Sequence, residues 1–120
     1  MKSCLIVDDS KVVRKVARRI IEELGFTCQE AEDGAHARDL CAKDMPDAIF
    51  LDWNMPVMNG MEFLGHLRKM KDGKKPKVVF CSTENSAEKL RHAMKAGADE
   101  FIMKPFDAET IGLKFKQVGL

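Results

Sequence analysis

Ala48-Ile49-Phe50-Leu51-Asp52-Trp53-Asn54-Met55-Pro56 decides the fold. Four consecutive apolar residues run straight into a carboxylate. A short run with no polar alternation reads as a strand buried on both faces. The same plan recurs along the chain. Cys4-Leu5-Ile6-Val7 runs into Asp8-Asp9, Val78-Val79-Phe80-Cys81 into Ser82, and Phe101-Ile102-Met103 into Lys104-Pro105. If these runs are parallel strands, the residues that end them meet at one edge of one sheet. Three carboxylates, a hydroxyl and an ammonium together suit a divalent cation and a phosphoryl group.

Helical periodicity fills the gaps between the runs. From Lys11 to Leu24 the apolar residues Val13, Val16, Ala17, Ile20, Ile21 and Leu24 fall on one helical face, with Ser10 as N-cap and Gly25 as stop. Thr27 to Ala31 is a strand carrying Gln29 and Glu30, hence an edge strand. Ala35 to Lys43 is a short helix, ended by Pro46, with Ala37, Leu40 and Cys41 inward. Asn59 and Glu62 have capping-box spacing ahead of Phe63, Leu64 and Leu67. Asn85 and Glu88 repeat it ahead of a helix carrying Leu90, Ala93 and Met94 and ended by Gly97. Asp107 caps a last helix with Ile111, Phe115 and Val118 inside.

Strict strand–helix alternation implies right-handed crossovers and a parallel sheet with helices on both faces. The most apolar strands, the first, third and fourth, belong in the centre. The expected architecture is a flavodoxin-like (βα)5 three-layer α/β sandwich with strand order 2-1-3-4-5. In such sheets ligands bind beyond the carboxyl ends of the strands, where the winding direction switches.

Composition narrows the class. At 120 residues the chain is read as a single domain, residues 1–120. Its 20 Lys and Arg almost balance 19 Asp and Glu, leaving a net charge of +1 and no global field to attract nucleic acid or an acidic membrane. No apolar run approaches the ~20 residues of a membrane helix, and Met1-Lys2-Ser3 leads directly into the first strand, unlike a secretory signal. The expected location is the cytoplasm. The scattered Cys4, Cys28, Cys41 and Cys81 read as buried free thiols rather than a zinc site.

Each site residue has a bland reading by itself. Asp8-Asp9-Ser10 is a helix cap with a solvated acid, Asp52 a turn residue, Ser82 and Thr83 ordinary hydroxyls, and Lys104-Pro105 a strand exit. Their conjunction on neighbouring strands carries the argument. Two adjacent acids repel unless a cation lies between them. Hard oxygen donors suit Mg²⁺, which takes one or two carboxylates and keeps several waters. The basic residues Lys11, Arg14, Lys15, Arg18 and Arg19 on the first helix are either a docking face for a phosphodonor or an ordinary solvated face.

Asp8-Asp9, the segment Asp52 to Pro56, Gly60, Ser82 and Lys104-Pro105 resemble the signature of bacterial response-regulator receiver domains, and of stand-alone chemotaxis regulators in particular. The resemblance covers the whole chain. It implies that Asp52 is the phosphoacceptor and that Asp9, Asp52 and the main-chain carbonyl of Asn54 are Mg²⁺ ligands, with Asp8 acting through water. It implies that Ser82 is the switch hydroxyl, that Lys104 pairs with the phosphoryl group, that the Lys104–Pro105 peptide is cis, and that Phe101 is the switch aromatic. Two departures stand out. Thr83 replaces the usual small residue beside the switch hydroxyl, and Phe101 lacks the hydroxyl of the frequent tyrosine.

The implied function is a single-domain response regulator of a two-component phosphorelay. It is a signalling switch that catalyses only its own phosphorylation and dephosphorylation. Its expected partners are a histidine kinase or histidine phosphotransfer protein upstream and a protein such as a flagellar motor switch component downstream. It is expected to be a monomer, and, with the chain stopping just after its fifth helix, it is expected to act by contacting another protein. The alternatives are a phosphotransfer shuttle or phosphate sink, and an Mg²⁺-dependent aspartyl-phosphate hydrolase. Against the hydrolase, Asn54 stands where a general acid would follow Asp52 by two residues.

Overall fold

The structure is a computed structural model and describes residues 2–83 and 86–120. The elements alternate without exception: β1 (Ser3–Val7), α1 (Lys11–Glu23), β2 (Thr27–Ala31), α2 (Gly34–Lys43), β3 (Ala48–Asp52), α3 (Gly60–Lys69), β4 (Lys77–Ser82), α4 (Ala87–Lys95), β5 (Glu100–Met103) and α5 (Ala108–Gln117). All strand pairings are parallel, and the sheet order is β2-β1-β3-β4-β5, the expected order, with the three most apolar strands in the centre.

The period-two alternation of side chains divides the core into two layers. Leu5, Val7, Ile49, Leu51, Val78 and Phe80 point to one face and pack against α2, α3 and Ala93 of α4. Cys4, Ile6, Phe50, Val79, Cys81 and Ile102 point to the other, under Ala17 and Ile21 of α1 and Ile111 and Phe115 of α5. Continuous apolar runs arise because both faces of the central strands are covered. All four cysteines are free and buried, as expected.

Local signals set the helix ends. Gly25 and Gly97 adopt φ of 98° and 112°. Each follows a helix whose last carbonyls accept from the next two amides, the glycine C-cap arrangement. Asn59 and Glu62 form the expected reciprocal capping box on α3.

Some expectations fail at the helix surfaces. In α1 only Ala17 and Ile21 are buried, while Val16 and Leu24 are 48% and 44% exposed. The stripe covered by the sheet is narrower than the apolar stripe in the sequence. In α4 only Ala93 is buried; Leu90 and Met94 are 39% and 41% exposed. This helix follows β4 and leads into the short edge strand β5, so little sheet is available beneath it. Val118 is a half-buried C-cap rather than an inner helical residue. Asn85 lies outside the described residues; the described cap of α4 is Ser86, whose Oγ accepts from the Lys89 amide.

Candidate functional site

Among the described residues the buried polar side chains are Asp8, Asp52 and Ser82, at 2%, 5% and 1% exposure. All three sit at the carboxyl ends of adjacent central strands. Their positions follow from the backbone ladder running one residue past the apolar runs. Asp8 N donates to Ala31 O at 3.1 Å, Trp53 N to Cys81 O at 3.2 Å, and Lys104 N to Ser82 O at 2.8 Å. Each pairing leaves a polar side chain at the rim, where the helices of both layers have not yet closed over the sheet.

Lys104 reaches back into this rim from the end of β5. Its Nζ lies 2.9 Å from Asp8 Oδ2 and 3.1 Å from Asp52 Oδ1. The peptide that follows it, to Pro105, is cis, as the resemblance implied. Asp9, next along the β1–α1 loop, is exposed. One carboxylate oxygen from each of Asp8, Asp9 and Asp52 lies within 4.8 Å of the others. Asn54 is exposed two residues beyond Asp52.

The charges are not balanced. Burial, then the neighbouring Asp8 carboxylate, push the Asp52 carboxyl up to about 6, although the Lys104 ammonium pulls against them. Burial works against the Lys104 ammonium too, yet its hydrogen bonds to Asp8 and Asp52 outweigh this and raise its pKa. One ammonium among three acids leaves an excess of negative charge in a partly desolvated rim. All the donors are hard oxygens, and the set fits a divalent cation of the Mg²⁺ type.

Gly60 opens α3 directly behind the rim. Its amide donates to Trp53 O at 2.9 Å, and a Cβ at this position would meet the Asp52 carbonyl oxygen and, at 2.6 Å, Phe80 Cε1. Only glycine lets α3 start this close to β3. Trp53, 9% exposed, packs on Phe80 with ring centroids 4.9 Å apart, and the Lys89 ammonium of α4 lies 5.1 Å from its ring. Phe101 is half-buried, in register with Phe80 across β4 and β5, and packs against the same core layer. Thr83, Val12, Val16, Lys104, Pro105 and Phe106 help line a groove of about 320 Å³ beside the rim.

The structure therefore brings Asp8, Asp9, Asp52 and Lys104 together and places Ser82 on the same edge. His36, His66 and His92 lie exposed on α2, α3 and α4. Two features escaped the sequence. Arg14, one of several basic residues read together as a single face, turns inward to Asp8 and Glu30. Lys89 reaches Trp53. A weak signal for the first existed, since Glu30 is an acid within a strand, paired in register with Ile6.

Comparison with known proteins agrees with this geometry. The family model described as the response regulator receiver domain matches residues 4–116. The chain is 35% identical over 115 residues to the chemotaxis protein CheY-3 of Vibrio cholerae, covering 95% of this chain and 88% of that protein. It is 34% identical over 110 residues to the chemotaxis protein CheY of Halobacterium salinarum, covering 92% and 90%. Among solved structures, Vibrio cholerae chemotaxis protein CheY4 superposes with a TM-score of 0.93 at 33% identity over 98% of both chains.

Proposed function

The chain belongs to the response regulator receiver domain family, and on that premise we propose that it is a phosphorylation switch whose acceptor is Asp52. The observation that carries the proposal is a buried carboxylate, 5% exposed, with an ammonium 3.1 Å away and two further acids within ligand distance. Residues 1–120 are read as one receiver domain acting in two-component signalling.

The Asp52 carboxylate attacks the phosphorus of a phosphohistidine on a histidine kinase or phosphotransfer protein. An O–P bond forms at Asp52 while the N–P bond breaks, and its electron pair returns to the imidazole. Lys104, already between Asp8 and Asp52, needs only a small movement to pair with a phosphoryl oxygen. Ser82, at the end of the adjacent strand, offers a hydroxyl donor to another. Asp9 and Asp52, with the carbonyl of Asn54 and with Asp8 through water, would hold Mg²⁺. The ion supplies positive charge against the transferring oxygens. The groove beside Lys104 and Pro105 is a route for the donor imidazole, and the exposed Val12 and Val16 give it an apolar wall.

The added phosphoryl charge draws Ser82 and Lys104 toward Asp52. Inward movement of Ser82 and Thr83 opens space for Phe101, which then changes the α4–β5–α5 surface. That surface already exposes Leu90, Met94, Met103 and Leu113. The names of the relatives suggest chemotaxis, and a downstream protein such as a flagellar motor switch component is the proposed target. The proposed compartment is the cytoplasm, where these partners meet; no described helix is long and apolar enough to cross a membrane.

Incubation with acetyl phosphate and Mg²⁺ tests the chemistry. One acyl phosphate per chain should form in the wild type and none in Asp52→Ala. Labelling of Asp52→Ala to the same stoichiometry would remove Asp52 from the role. Catalytic turnover of a generic phosphomonoester would instead favour the hydrolase.

A further inference from the structure

Asp9 differs from its two acidic neighbours in having no anchor of its own. Among the described residues its exposed carboxylate makes no hydrogen bond or ion pair. Asp8 is fixed at every polar atom. Its amide donates to Ala31 O, its Oδ1 accepts from the Ser10 amide at 2.9 Å, and its Oδ2 accepts from Lys104 at 2.9 Å. Its main-chain carbonyl accepts from Arg14 Nη1 at 2.7 Å. That carbonyl belongs to the peptide joining Asp8 to Asp9. The orientation of this peptide plane sets the direction in which the Asp9 side chain leaves the loop.

Arg14 is held in turn from its other edge. Its Nε donates to Glu30 Oε1 at 3.0 Å, and its side chain is only 15% exposed. Glu30 Oε2 accepts from Lys15 at 2.8 Å and from Arg18 at 2.9 Å. Burial disfavours the Glu30 carboxylate, yet these cations outweigh it and hold the carboxyl down at about 2. Glu30 stands on β2, next to β1 in the sheet. The guanidinium thus spans a rigid strand and the acid-bearing loop with two donors in a fixed fork, a geometry lysine cannot reproduce.

We propose that Arg14, braced by Glu30, is a positioning residue that locks the Asp8–Asp9 peptide so that the Asp9 carboxylate stays within ligand distance of Asp8 and Asp52. The inference rests on reading those three acids as a cation site. Without the fork, the peptide gains freedom to turn and the Asp9 carboxylate swings away from Asp8 and Asp52. Arg14 touches no reacting atom itself. Outer groups that orient ligands in this way are typically worth 10- to 100-fold in metal affinity.

Mg²⁺ titration followed by Trp53 fluorescence tests this, with melting of the metal-free protein measured alongside. Arg14→Met and Arg14→Lys should both weaken Mg²⁺ binding roughly 10-fold. The lysine variant separates geometry from charge, because it keeps the cation and loses the fork. Glu22→Gln, which removes only the 3.2 Å contact to Arg18, should bind Mg²⁺ like the wild type. In Arg14→Lys the Asp9 amide resonance should shift; in Glu22→Gln it should not. A lower melting temperature with unchanged Mg²⁺ affinity in both Arg14 variants would make Arg14 merely structural and overturn the inference. Absence of saturable Mg²⁺ binding in the wild type would overturn the cation site itself, a distinct failure.

Discussion

Asp52 carries the tension of the whole site in one ionisation. Its folded pKa of about 6 stands above the ordinary 3.8, so the folded state prefers the neutral acid. The sign follows from linkage: this preference stabilises the fold below the ordinary value and is lost as pH rises through about 6. Asp52→Asn, always neutral, should therefore be more stable than the wild type at pH 8 without metal. With solvent screening allowed for, the gain should be about 1–2 kcal/mol. The gap should shrink toward pH 4 in urea melts, and Mg²⁺ should narrow it at pH 8. A gap independent of pH would mean that ionisation of Asp52 is not its source. Val57 poses a simpler case. It is 82% exposed with φ of 67°, a conformation costly for a β-branched residue. Val57→Asn should raise stability by about 1 kcal/mol, and an unchanged urea midpoint would show that the strain is absent in solution.

Among the elements, α3 couples the site to the rest of the fold at both of its ends. At its start, Gly60→Ala forces a methyl into the Asp52 carbonyl and the Phe80 ring, neither of which can retreat cheaply. The cost should be about 2–3 kcal/mol, and slower acetyl phosphate labelling should accompany it, because the displaced backbone is that of the proposed acceptor. Labelling at the wild-type rate in a destabilised protein would separate the two effects. At its end, Arg68 donates to the carbonyls of Gly73, Pro76 and Gly97 and to Asp99, which itself accepts from the Val78 amide at 2.8 Å. This one guanidinium gathers the α3–β4 loop and the end of α4, a helix that otherwise buries only Ala93. Arg68→Ala should cost about 2–3 kcal/mol and should speed hydrogen exchange in α4 more than in α1. Equal acceleration in both helices would indicate global destabilisation instead.

At the scale of the molecule, the proposed switch makes two demands on Lys104. In this structure it pairs with both Asp8 and Asp52; in the proposed mechanism it follows the new oxygens after phosphorylation. Lys104→Ala should leave acyl phosphate formation at Asp52 measurable, while binding of a target protein becomes indifferent to a beryllofluoride phosphate mimic. A variant whose target affinity still rises with the mimic would show that the signal travels by another route. The surface that would report it carries the apolar Leu90 and Met94 of α4, which stand 39% and 41% exposed.

The central strands, the helical cover on both faces of the sheet and the rim residues were legible because they depend on local patterns. An apolar run buried on both faces must sit centrally in a parallel sheet, and the polar residue ending it must then reach the carboxyl edge. Asp8, Asp52 and Ser82 follow from that reasoning, and Lys104 from the same run-into-polar pattern on the edge strand β5. The depth of burial at α1 and α4 was not legible, because helical spacing shows which face is apolar and not how much sheet lies beneath it. Nor was the inward turn of Arg14, chosen from several basic neighbours only by where Glu30 and the Asp8 carbonyl meet in space. Periodicity is a property of the chain and is written in the order of its residues. The partner of a long charged side chain depends on distances between segments far apart in sequence, and only the folded packing sets those.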